Sequence, residues 1–176
     1  MSCLRPVALV LVTAFVGCDA APVPVRRDPV PIPARTAAPL PSATGPSLHF
    51  VAAPIATDLA AWISGQERFA RAEGERVVVY LGASWCEPCQ RFHQAVEARE
   101  LDDKLPRTRF LQFDAEAHGE ALAAIGYTSK YVPLFAIPGD DGRGTGKQIS
   151  GSIKGPGAAE EIAPRLRALL EGKATQ

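Results

Sequence analysis

The sequence predicts an α/β domain, and three observations carry that expectation. Arg76-Val77-Val78-Val79-Tyr80-Leu81 is a β-branched and aromatic run that reads as a buried strand. Phe92, Ala95 and Val96 follow it at helical spacing. Beyond them, strand-like and helix-like stretches keep alternating as far as Leu170.

The elements can be justified in order. Thr57 is placed to cap a first helix through Leu59, Trp62, Ile63 and Phe69, with Gly74 as its stop. The strand over 76–81 runs into the loop Gly82-Ala83-Ser84, and Trp85-Cys86-Glu87-Pro88-Cys89-Gln90 opens the next helix. Pro88 falls in the first turn, where its missing N–H is tolerated. Arg109-Phe110-Leu111-Gln112-Phe113-Asp114 reads as a strand, and Glu120 to Ile125 as a short helix ended by Gly126. Tyr131 to Ile137 is a further strand candidate, with Pro133 near its start. A Gly- and Asp-rich turn, Gly139 to Gly146, leads to Gln148 to Ile153 and then to a final helix carrying Ile162, Leu166, Leu169 and Leu170. Pro164 lies inside that last pattern, so the helix either kinks there or starts later than Gly157 suggests.

The N-terminus belongs to a different physical regime. Arg5 supplies a positive n-region and Val7 to Val16 a short apolar h-region, too short for a membrane span but suited to a signal peptide. Phe15-Val16-Gly17-Cys18 resembles a bacterial lipobox, which implies cleavage before Cys18 and a diacylglycerol on its sulfur. An ordinary secretory signal cut nearby is the blander alternative. Cys3 is lost with the signal in either case, which leaves Cys86 and Cys89 as the free thiols. Ala21 to Pro46 is dense in proline, alanine and valine, and repeated X-Pro bonds favour an extended, semi-rigid tether. The expected organisation is therefore a lipoprotein-type signal over 1–17, a lipidated N-terminus and linker over 18–49, and one domain over 50–176. Acidic and basic residues balance at 19 each, so nothing argues for nucleic acid or for strong attraction to anionic lipid.

The chemistry concentrates at Cys86 and Cys89. If they open a helix, the first sulfur sits over unpaired backbone N–H groups at the positive end of the helix dipole, which favours thiolate. The second lies one turn further in and is expected to be more shielded. A thiolate that attacks a disulfide then has a resolving thiol within reach. Duller readings compete. A purely structural disulfide would close a very short loop and add little stability. Zinc would need two further ligands, and the chain offers only His49, His93 and His118. Copper is the stronger rival, because Cys86, Cys89 and His93 share a helix face and thiolates suit Cu(I). His93 itself reads as an exposed helix residue rather than a ligand.

Trp-Cys-x-x-Cys in this setting resembles the thioredoxin superfamily, and the element order from residue 76 onward matches that fold: a central mixed β-sheet flanked by helices in a single domain. The resemblance implies that the peptide bond before Pro133 is cis, that Pro133 lies beside Cys86, and that Val132 and Pro133 present backbone to a substrate strand; Trp85 is expected to serve both packing and the rim of the site. It implies a protein thiol-disulfide oxidoreductase without cofactor, a monomer, acting on protein disulfides or dithiols. Glu87, Pro88 and Tyr80 are expected to modulate the pair. Tyr80 stands where cytosolic thioredoxins carry a buried carboxylate, and Val132 where they usually have threonine; valine there favours an oxidant. Glu87 opposes that by disfavouring thiolate on Cys86. The direction leans slightly to reductase. An exported, lipid-anchored protein of this kind, facing the periplasm, implies a membrane thiol relay as its electron partner.

Overall fold

The structure, a computed structural model, describes residues 47–55 and 58–173. The signal, Cys3, Cys18, the proline-rich tether and Thr57 lie outside the described residues. Nine elements follow one another: β1 (Leu48–Ala52), α1 (Leu59–Ala72), β2 (Arg76–Gly82), α2 (Glu87–Glu97), β3 (Thr108–Asp114), α3 (Ala115–Ala124), β4 (Leu134–Pro138), β5 (Gly144–Ser150) and α4 (Ala158–Leu170).

The strands form one sheet in the order β1-β3-β2-β4-β5. β1, β3 and β2 run parallel, whereas β4 pairs antiparallel with β2 and β5 antiparallel with β4. The expected mixed sheet is therefore present. The continuous apolar run of β2 is explained by burial on both faces. Val78 and Tyr80 point into a core shared with α2 and α4, and Val77, Val79 and Leu81 into a second core shared with α1 and α3.

Local corrections have physical causes. β1 was not foreseen; it is a five-residue edge strand that begins at Leu48, before the expected domain boundary, and pairs Phe50 with Phe110. α1 is capped by Asp58, whose side chain accepts from the Ala61 N–H at 3.2 Å. Gly74 stops that helix as expected, with a left-handed φ of 69°. β5 starts at Gly144, inside the stretch read as a turn. α4 starts directly after Gly157 and runs through Pro164. Pro164 sits on the exposed face, so the carbonyl that loses its helical partner lies on the side open to water.

The end of the sheet away from the dithiol is pinned by charge. Glu75, just before β2, has its carboxylate between the guanidinium groups of Arg107 at 3.1 Å and Arg109 at 3.0 Å.

Candidate active site

β2 ends at Gly82, and the turn through Ala83, Ser84 and Trp85 delivers Cys86 to the N-cap of α2. Cys86 is extended, with φ −83° and ψ 105°, and its sulfur accepts the Cys89 N–H at 3.2 Å. The sulfur thus takes the place of a capping oxygen over the first-turn amides. Pro88 occupies the first turn without interrupting it. Cys86 and Cys89 form a disulfide, with Cα atoms 5.2 Å apart. The expected difference in shielding is not seen in this oxidised form: the residues are 4% and 3% exposed.

The neighbouring charge differs from the sequence expectation. Glu87 does not act alone on Cys86, because Arg91 on the next turn places its guanidinium 3.8 Å from the carboxylate. That spacing was legible as an i,i+4 pair. Trp85 is 66% exposed and its indole N–H donates to the Glu116 carboxylate at 3.0 Å, so it contributes rim rather than core packing.

The Val132–Pro133 peptide bond is cis, as the resemblance implied. Pro133 is buried at the start of β4, and its carbonyl accepts the Gly151 N–H at 2.9 Å. Val132 is half-buried and packs against both cores, one of which contains the two cysteines. A cavity of about 590 Å³ runs between Trp85 and the segment Lys130-Tyr131-Val132, floored by Leu81 and Tyr127. Tyr131, 68% exposed, was not singled out by sequence reasoning, which had no means of telling a strand residue from a rim residue there.

A second cavity, of about 390 Å³, opens on the other side of α2 and is bordered by Tyr80, Cys89, His93, Gln94, Gln112 and Asp114. Tyr80 is buried in an aromatic cluster with Phe50, Phe92 and Phe135. Burial pushes its phenol far above the ordinary value, so it stays protonated and cannot act as a base at neutral pH. His93 is not the exposed residue expected. Its ring lies flat on Phe50 at 3.8 Å, and burial lowers its pKa from 6.5 against a raising influence from Glu97. The unforeseen β1 is what covers it.

His118 is buried, and its Nδ1 accepts the Asp114 N–H at 3.2 Å. In this oxidised form, where the Cys86 and Cys89 sulfurs are bonded to each other, no three His, Cys, Asp or Glu side chains among the described residues converge as a metal-binding group.

Residues 58–138 match the family model described as thioredoxin-like. Comparison with curated proteins finds no match. Among solved structures, thioredoxin O1 from Arabidopsis thaliana in its oxidized state is similar at 18% identity and a TM-score of 0.43, covering 70% of this chain and 96% of its own. A thioredoxin from Trypanosoma brucei brucei is similar at 22% identity and a TM-score of 0.36, covering 74% of this chain and 94% of its own. With a thioredoxin-like family model over residues 58–138, elements that follow one another along the chain in the expected order from β2 onward, and a Cys86–Cys89 disulfide at a helix start, the described domain has a thioredoxin-like fold and is a thiol-disulfide oxidoreductase.

Proposed function

We propose that this protein is an envelope thiol-disulfide oxidoreductase in which Cys86 attacks substrate disulfides and Cys89 resolves them, with a lean toward reduction. The observation that carries the reading is the capping position of Cys86. A thiolate there accepts the Cys89 N–H and meets the positive end of α2. In the forward reaction the Cys86 thiolate bonds to one substrate sulfur and the other leaves as thiolate. Cys89, deprotonated, then bonds to Cys86 and expels the second substrate sulfur. The substrate gains two electrons and the two cysteines lose them. Val132 and Pro133 present backbone to the substrate strand, and Trp85 forms its rim.

The lean to reduction rests on weak thiolate stabilisation. Arg91 is paired with Glu87, so α2 brings no unbalanced cation toward Cys86. A thiolate stabilised only by amides and dipole makes a milder couple than one held by a free cation. The envelope setting rests on Arg5, the Val7 to Val16 apolar run and Cys18 as the lipidated residue. The tether would let the anchored domain reach protein substrates and a membrane thiol relay that returns electrons.

Trapping tests the mechanism. Cys89→Ser is expected to accumulate mixed disulfides with envelope proteins, visible on non-reducing gels, and Cys86→Ser to accumulate none. If both variants match wild type, Cys86 is not the nucleophile.

A further inference from the structure

Cys89 must lose a proton before it can attack the mixed disulfide, and the position that could supply a buried carboxylate holds Tyr80, which burial keeps protonated. The cavity of about 390 Å³ beside α2 offers a replacement. Cys89 and His93 both border it, one helical turn apart on the same face. Gln94, Gln112 and Asp114 bring polar groups to its wall, and its volume suits several bridging waters. His93 is held by its face against Phe50, with the ring planes 6° apart, and sits 5.4 Å from the Tyr80 ring. A stacked ring is fixed in place while its edge, which carries both nitrogens, remains available to water.

We propose that His93 is the proton-exchange group of Cys89, taking the thiol proton through cavity water when the mixed disulfide resolves and returning it when the Cys86–Cys89 bond is reduced. The inference rests on the exchange mechanism proposed above and assigns its missing base. Neutral imidazole accepts the Cys89 proton. The thiolate pair forms the bond to the Cys86 sulfur, the bond from Cys86 to the substrate sulfur breaks, and that sulfur departs with its pair. The imidazolium then releases the proton to bulk water.

Glu97 on its own helix acts electrostatically on His93, Tyr80 from β2 lies beside it, Asp114 at the end of β3 borders the same cavity, and β1 places Phe50 against its face. Asp114 is the competing base. Its Oδ1 is already occupied as the cap of α3, accepting the Glu116 and Ala117 N–H groups at 2.9 and 3.0 Å. The depressed imidazole keeps His93 in its basic form at neutral pH.

Single-turnover reaction of the reduced protein with an aromatic disulfide, dithiobis(nitrobenzoate), separates the steps. Attack by Cys86 releases one thionitrobenzoate and attack by Cys89 releases the second. In wild type the second phase is expected to slow as pH falls below 6.5 toward the lowered His93 value. His93→Gln and His93→Phe, the latter retaining the stack, should each slow the second phase about 100-fold at pH 7.5 and abolish that inflection. Added imidazole should restore His93→Ala, and Asp114→Asn should keep the inflection. A wild-type second phase in either His93→Gln or His93→Phe overturns the proposal, as does loss of the inflection in Asp114→Asn alone. Release of both equivalents by Cys89→Ser would instead refute the underlying exchange mechanism.

Discussion

Tyr80 and Gly82 show how closely side-chain size is matched beneath the dithiol. The two residues share one side of β2, and a Cβ built on Gly82 would stand 2.6 Å from the Tyr80 hydroxyl oxygen and 2.9 Å from its ring carbon. The tyrosine ring therefore runs under the strand end because residue 82 has no side chain. Gly82→Ala is expected to destabilise the oxidised protein by about 1–3 kcal/mol through overpacking. Tyr80→Phe in the same chain should recover part of that loss, since it removes the nearer contact. Urea unfolding of the single and double variants measures both, and an unchanged midpoint for Gly82→Ala would show that the ring can move aside. The carboxylate's absence at residue 80 was legible in the sequence. That the phenol borders a cavity with His93 was not, because it depends on which strand covers α2.

That strand is β1, and its omission explains the largest gap between sequence and structure. Leu48 to Ala52 is short, follows a proline-rich stretch and lies at a sheet edge, so neither length nor alternation marks it strongly. Without Phe50, His93 reads as a surface residue; with it, the imidazole is stacked and half-buried. Helices with a defined cap or stop were easier. Gly74 marked the end of α1, while its beginning shifted to Asp58, whose carboxylate caps Ala61. Asp58→Ala should cost about 1 kcal/mol, and Asp58→Asn much less, as read from thermal midpoints. Equal loss in both would mean that the charge near the helix dipole, rather than the accepted hydrogen bond, supplies the stabilisation.

Across the domain, the legible features were those with a repeating physical cause. The apolar run of β2 signals burial on both faces of a sheet, and the two cores divide its residues in alternation. The dithiol and Pro133 were legible as motifs, and the structure places them at the start of α2 and of β4. What sequence could not supply was contact across the site: Glu116 under Trp85, Phe50 over His93, and the cavity that joins Cys89 to His93. The Glu87–Arg91 pair, in the reading proposed above, bears on how strongly the Cys86 thiolate is held and through it on the direction of electron flow. Equilibrating the purified protein with dithiothreitol and glutathione buffers of graded poise, then counting free thiols at Cys86 and Cys89, reads that quantity. One reversible two-electron transition near about −270 mV is the expected result. A pair that stays oxidised well below about −300 mV, as an inert structural bond would, or one that titrates near about −120 mV, as a strong oxidant would, contradicts it.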